Sequence, residues 1–411
     1  MIPTLFRSGP RRTTPRFGAS LLALSLTALL SACGGGGSES PGNTATAGTL
    51  RLALTDAPSC GFDAVNVTVQ KVRVHQSSTA SDTDAGWSEV VLSPAKRVDL
   101  LTLTNGVLSE LGQTALPTGR YTQMRLVLAP NDATTPLANA VTPTGGAETA
   151  LTVPSGVQTG VKLNIDTEVK TDQVADLVLD FDACRSVIKL GASGRYNLNP
   201  VVSVLPRVSD AANRVIGYVT PALGIGSTVV SAQVNGVPVK STVPDATGKF
   251  TLAPLAAGNY DVVVSAAGRV TAAISAVPVS STTNTTLNTS TAPIDPPAAT
   301  VRKASGTVVV TPVVSPVVAT VVARKVFADG LTVEVAGMPV DGSTGGFSFD
   351  LPASAPLRAA YVAGATTLSF AADSTTPTGK YSLVASSGTL VKTVPVDIST
   401  TAAASIDIAL P

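Results

Sequence analysis

Past residue 48 apolar side chains recur at every second position almost everywhere, as in Leu50, Leu52 and Leu54, Val65, Val67 and Val69, and Leu331, Val333 and Val335. A strand points successive side chains to opposite faces, so this spacing buries one face and leaves the other to solvent. Val and Thr dominate the alternating runs, and clusters of Gly, Pro, Asn and Asp interrupt them at short intervals, which is the pattern of an all-β protein built of sandwiches. The one helix expected is short, over about residues 100–111, where Leu101, Leu108 and Leu111 would share a face. Apolar residues make up 44% of the 411 and charged residues only 13%. That is enough for real cores and too much for a disordered chain.

One local pattern occurs three times. Leu116-Pro117-Thr118-Gly119-Arg120-Tyr121, Leu255-Ala256-Ala257-Gly258-Asn259-Tyr260 and Thr376-Pro377-Thr378-Gly379-Lys380-Tyr381 each precede an alternating strand. Glycine supplies the backbone freedom of a tight turn, and the tyrosine is expected to cover a sandwich edge while its hydroxyl bonds backbone. The tyrosines are domain lengths apart. Tandem sandwiches of transthyretin or immunoglobulin type are therefore expected over 49–206, 214–290 and 301–411. The polar stretch Pro206–Asn213 and the run Thr291-Ala292-Pro293-Ile294-Asp295-Pro296-Pro297 are expected to be linkers.

The N-terminus carries an address. Arg7, Arg11, Arg12 and Arg16 precede an apolar run, Phe17 to Leu30, that is shorter than the roughly 20 residues of a membrane-spanning helix. Leu30-Ser31-Ala32-Cys33 then resembles the lipobox of bacterial lipoproteins. The resemblance implies that residues 1–32 are a signal peptide, that Cys33 becomes the acylated N-terminus, and that the protein is held to the membrane through lipid. Gly34, where an aspartate would mark inner-membrane retention, implies the outer membrane, with the leaflet open. Residues 33–48, rich in Gly and Ser, read as a flexible tether. Removing residues 1–32 takes away four arginines and no acid, so the 28 basic and 27 acidic residues become 24 and 27, a net charge of −3. No basic field calls for nucleic acid.

Residues 49–206 carry the most distinctive motifs: Leu54-Thr55-Asp56-Ala57-Pro58, Asp63-Ala64-Val65-Asn66-Val67, Val98-Asp99-Leu100-Leu101, Pro154-Ser155-Gly156 and Asp180-Phe181-Asp182-Ala183-Cys184. They resemble the envelope-lipoprotein family called domain of unknown function 4382. The resemblance implies a β-sandwich on a lipid anchor and no activity. Asp245-Ala246-Thr247-Gly248-Lys249-Phe250, with Leu255, Gly258 and Tyr260, resembles the carboxypeptidase regulatory-like, transthyretin-type fold. The third segment departs from that pattern, because Gly345-Gly346-Phe347 meets its Gly-x-Tyr only at Tyr381. An insertion or another topology is expected there.

Catalytic motifs are scarce. The single histidine, His75, alternates with Val72 and Val74 and is expected on the outer face of a strand. Ser93–Lys96 and Ser186–Lys189 have the spacing of acyl-enzyme nucleophiles, but lie in β or turn sequence without the companion motifs. Asp82-Thr83-Asp84-Ala85-Gly86 opens like a calcium loop, yet Trp87 and Ser93 stand where such a loop needs Gly and Glu. If Cys33 takes lipid, Cys60 and Cys184 remain as an even pair in an oxidising compartment, expected to form a disulfide; two separately buried thiols are the alternative. Asp56, Asp63, Asp180 and Asp182 flank those cysteines. A disulfide would bring them together as an oxygen-only calcium site, while the alternative has them capping turns. No other cofactor is expected.

The function expected is a non-enzymatic binding or structural role in the cell envelope. The partners considered are an envelope protein or a polysaccharide. Only one tryptophan is present for stacking on sugars. A hydrolase using paired acidic residues is the remaining alternative.

Overall fold

Three pairs of sheets follow one another along the chain, each built from segments in which buried and exposed residues alternate. The computed structural model describes residues 46–56, 61–154, 156–207, 212–375 and 378–411. Residues 1–45, which include the expected signal peptide and Cys33, lie outside them, as does Cys60. Among the described residues no helix is long and apolar enough to cross a membrane.

The first sandwich faces a four-stranded sheet against an eight-stranded one. The small sheet runs in the order Val202–Pro206, Val174–Phe181, Ala47–Asp56, Ser109–Pro117. Ala47–Asp56 is parallel to Val174–Phe181, with Thr55 opposite Asp180 and Asp56 opposite Phe181. The large sheet centres on Phe62–His75 and Gly119–Leu128. Leu50, Leu52 and Leu54 from one sheet and Val67, Val69 and Leu126 from the other share a core.

The helix expected over 100–111 is a correction. Asp99 accepts the Leu101 N–H and caps a single 3-10 turn, Leu100–Thr102. The chain is then extended from Ser109, pairing with Ala47–Asp56. The three leucines sit in different contexts, and only Leu111 is fully buried. Tertiary pairing overrides a short helical period. The first sandwich also holds a one-turn α-helix, Ala183–Ser186.

The second sandwich has a three-stranded sheet of Lys249–Leu252, Val215–Tyr218 and Thr285–Thr286, against a six-stranded one. The larger sheet runs Val237–Thr242, Thr228–Val234, Gly258–Ala266, Ala272–Val279, Leu357–Ala360, Ala371–Ala372. Its last two strands come from beyond residue 350. They are the insertion between Phe347 and Tyr381. Leu357–Ala360 lies parallel to Ala272–Val279, and Leu357, Tyr361, Leu368 and Phe370 pack on the core of the second sandwich.

The third sandwich pairs Gly346–Pro352, Val301–Val310 and Ala403–Leu410 with the sheet Thr332–Pro339, Thr320–Val326, Lys380–Ser387, Leu390–Asp397. Its turn at Asp341 repeats that at Asp245. Each aspartate Oδ1 accepts backbone N–H groups two and more residues on, and Gly248 and Gly345 at positive φ approach the carbonyls of Val219 and Val308 so closely that a Cβ would collide.

The expected linker at Thr291–Pro297 is a second correction. Ile294 is buried, its N–H donates to the Tyr218 carbonyl, and its own carbonyl accepts the Thr220 N–H. Further along, the Pro297 carbonyl accepts the Val270 N–H. An apolar side chain within a proline-rich run is enough to stitch it down. The described residues from Thr46 to Pro411 accordingly belong to one compact unit.

Candidate functional site

The polar centre of the molecule lies where the three sandwiches meet. The parallel pairing of Ala47–Asp56 with Val174–Phe181 brings Asp56 beside Phe181, and the chain then turns through Asp182 into Ala183–Ser186. Asp182 Oδ1 accepts the Arg185 N–H at 3.0 Å and caps the turn, while Asp56 Oδ1 accepts the Ala183 N–H at 3.0 Å. Two carboxyl groups thus meet the free N–H groups of one short turn.

Two other sandwiches reach this point. Lys240, on Val237–Thr242 and only 3% exposed, places Nζ 2.5 Å from Asp180 Oδ1 and 3.3 Å from the Asp56 carbonyl oxygen. Arg185 pairs through Nη2 with Glu334 of Thr332–Pro339, and through Nε with Asp182 Oδ2 at 3.4 Å. Gln233 of Thr228–Val234 bonds the Glu334 backbone. The first sandwich supplies three acids and a guanidinium, the second an amine and an amide, and the third one acid.

Burial governs the electrostatics. Asp56 is fully buried, and desolvation pushes its carboxyl well above the usual range against the pull of the Ala183 N–H. Its Oδ2 is buried and has no hydrogen-bond partner among the described residues. An unpaired buried oxygen of that kind is far cheaper as part of a neutral acid than of a carboxylate. Burial likewise raises Asp182 and Glu334, with Arg185 opposing it in both.

The four aspartates do not form one cation site, which corrects the calcium expectation. Asp63 is exposed on the large sheet and accepts the Gly145 N–H through Oδ2 at 3.1 Å. Asp56, Asp180 and Asp182 do come together, but Ala183, Lys240 and Arg185 occupy them. Among the described residues no group of three or more His, Cys, Asp or Glu side chains is arranged to hold a metal. Cys184 stands on the turn between Asp182 and Arg185, and its expected partner Cys60 lies outside the described residues.

The remaining candidates have structural occupations. His75 packs on Trp87 with ring centroids 5.1 Å apart and planes tilted by 54°, and its two nitrogens meet the Ala85 carbonyl and the Ser77 N–H. Lys96 donates to the Glu110 carbonyl, and Ser186 to that of Asp182, so neither serine–lysine spacing becomes a pair. Lys240, Arg185, Gln233 and Glu334 escaped the sequence reading. The available signal was a charged residue inside an apolar alternation, as in Val237-Pro238-Val239-Lys240 and Val333-Glu334-Val335.

Beside the cluster lie a cleft of about 220 Å³ lined by Asp182, Arg185, Gln233 and Glu334, and one of about 160 Å³ lined by Asp180 and Lys240. Neither holds an acid free of a partner.

Residues 47–200 match the family described as a domain of unknown function, DUF4382. The DUF4382 segment contains Asp56, Asp180, Asp182 and Arg185, whereas Gln233, Lys240 and Glu334 lie beyond it. No curated protein matches the chain. Among solved structures, the chain is similar to a type II cohesin–X-dockerin complex from Acetivibrio cellulolyticus, at 29% identity over 21% of this chain and 58% of that one, with a TM-score of 0.19. The chain therefore spans little more than half of that relative. The Bacillus anthracis TIE protein is similar at 12% identity over 89% of this chain and 51% of that one, with a TM-score of 0.17. A streptococcal ancillary pilin is similar at 9% identity over 88% and 99% of the two chains, with a TM-score of 0.16.

Proposed function

We propose that the protein is a lipid-anchored component of the cell envelope, placed at the outer membrane by the acylated Cys33, with a non-enzymatic structural or binding role. The observation that carries the non-enzymatic reading is the occupation of the acidic cluster. Asp180, Asp182 and Glu334 are each tied to a cation from the same or a neighbouring sandwich. Acids arranged this way bind modules to one another instead of facing substrate. The body then acts as one stiff β-scaffold on a Gly- and Ser-rich tether, presenting its outer strands to an envelope partner.

A Cys60–Cys184 disulfide belongs to the same reading. Its support is the position of Cys184 on the turn whose Ala183 N–H is held by Asp56, four residues before Cys60 in the chain. The second sandwich reads as carboxypeptidase regulatory-like, supported by its Asp245 turn and the buried Tyr260. Polysaccharide binding is the weaker alternative. The one tryptophan, Trp87, already carries the Arg73 guanidinium 4.6 Å from its ring centre and that of Arg125 at 5.3 Å.

Anchoring is tested by Cys33→Ala in the expressing cell. The substituted protein should leave the membrane fraction with its melting temperature unchanged, and the parent should yield a lipid-bearing peptide beginning at Cys33. An unacylated parent that stays soluble would remove the anchor.

A further inference from the structure

We propose that Lys240 and Asp180 become joined by an amide bond between lysine Nζ and aspartate Cγ, a self-formed crosslink that ties the first sandwich to the second. The two residues come from different sandwiches, 60 positions apart, and meet with Nζ 2.5 Å from Oδ1. The carboxyl carbon under attack is one bond beyond that oxygen. Lys240 is 3% exposed and Asp180 8%. Water is thus largely kept from the reacting atoms, and the packing of two sheets fixes their approach. Such positioning replaces a bimolecular encounter with an intramolecular one, the largest single aid to a condensation.

A third group completes the chemistry. Asp56 is buried beside the pair, within electrostatic range of both partners, and its Oδ2 has no hydrogen-bond partner among the described residues. A buried neutral carboxyl of this kind gives and takes protons. The ammonium of Lys240 first passes a proton to the Asp180 carboxylate, which leaves a neutral amine and a neutral acid. Nζ then attacks Cγ, and the carbon–nitrogen bond forms. Asp56 donates its proton to one Asp180 oxygen, which departs as water when the carbon–oxygen bond breaks. The surplus proton on nitrogen returns to Asp56. Ammonium and carboxylate have become amide and water, with no redox partner and no co-reactant. The small cleft lined by Val202, Ser203, Val239 and Lys240 gives the water a way out.

The alternative fate of these atoms is a plain ion pair. Two charges held away from water carry a desolvation penalty that their attraction repays only in good geometry, whereas condensation abolishes both charges. Asp56 is also the one acid of the four at the junction that no cation among the described residues pairs with directly, which its role as proton carrier explains.

The test is peptide mapping of the full-length protein extracted from membranes, reduced, alkylated and digested with trypsin. A crosslinked protein resists cleavage after Lys240. It yields the peptide 171–185 joined to 215–249, lighter by one water than the sum of the two. Lys240→Arg keeps the charge and should give the two peptides separately. Asp56→Ala should lower the linked fraction at least tenfold while circular dichroism reports an intact β-fold. Recovery of unlinked 171–185 and of 215–240 as the main products of the unsubstituted protein would overturn the proposal and leave an ion pair. So would a linked fraction unaffected by Lys240→Arg. Because the first readout uses the unsubstituted protein, it stands even if a variant fails to fold.

Discussion

Gln233 and Glu334 bond each other twice: the Gln233 amide donates to the Glu334 carbonyl at 2.8 Å, and the Gln233 Oε1 accepts the Glu334 N–H at 2.8 Å. A side chain of the second sandwich thereby imitates the backbone of a neighbouring strand for the third. Gln233 is 1% exposed, so its loss strands a buried donor and acceptor together. Gln233→Ala should cost about 2–4 kcal/mol, the penalty for two unsatisfied backbone groups. Chemical denaturation of the variant should also show the third sandwich melting apart from the second. A single transition of unchanged midpoint would show that the pair bears no load.

The acidic junction sets a pH dependence. Burial raises Asp56, Asp182 and Glu334 above their ordinary values. A carboxyl raised on folding binds its proton more tightly in the native state. Its stabilisation is complete below the unfolded value, about 4, and is lost as pH rises through the raised value. The melting temperature should therefore climb on acidification from pH 7 towards about 4.5. Exposed acids with the opposite shift, such as Asp132 held at about 2 by the Thr134 and Thr135 groups, begin to act only below that window. Asp56→Asn should flatten the climb while keeping the bond to the Ala183 N–H. A thermal-shift series across pH decides it.

The strand Leu357–Ala360 should bind in trans. A fragment covering 212–300 lacks its neighbour on Ala272–Val279 and leaves an apolar edge open. A synthetic peptide covering 354–374 should restore it, raising the fragment's melting temperature in a dose-dependent manner. The same peptide with Leu357→Asp and Phe370→Asp should fail. Calorimetry that finds no association would mean that the second sandwich closes without the insertion.

Much of the fold was legible in the residues, and the reasons for the exceptions are specific. The tyrosine turns were readable because glycine and tyrosine at fixed spacing do one job: Tyr121 Oη donates to the Pro117 carbonyl at 3.1 Å and Tyr260 Oη to that of Ala256 at 2.8 Å, both four residues upstream. Tyr381 differs, donating to Pro352 at 2.5 Å across the insertion. Val262-Val263-Val264 breaks the alternation because both faces are covered. Val262 and Val264 enter the core of the second sandwich, while Val263 meets Phe327 and Val333 of the third. A continuous apolar run signals burial on two sides, but nothing in the run names what lies on the second side. The junction was half visible. Asp56, Asp180 and Asp182 stood out, but their partners are single charges in unrelated strands, and their meeting is a property of the packing.

The proposed disulfide has a measurable consequence. Pairing of Cys60 with Cys184 closes a loop of 124 residues, for which chain-entropy reasoning gives about 4–5 kcal/mol. Cys60→Ser should lower the melting temperature of the oxidised protein to that of the reduced parent. Non-reducing digestion of the parent should give a peptide linking the two cysteines. Alkylation of both thiols in the unreduced protein would rule the bond out.

The placement of Leu357–Ala360 has a bearing on how the chain assembles over time. Synthesis delivers residues in order, so the second sandwich is complete in sequence up to Thr286 long before the fifth strand of its larger sheet exists. Some 70 further residues must emerge, among them the first four strands of the third sandwich, before the open flank of Ala272–Val279 can be covered. Until then that flank is a vacant seat for any passing strand. A nascent molecule is therefore open to edge-to-edge pairing during this interval, and a truncation anywhere between 290 and 356 should aggregate more readily than one that removes the second and third sandwiches together.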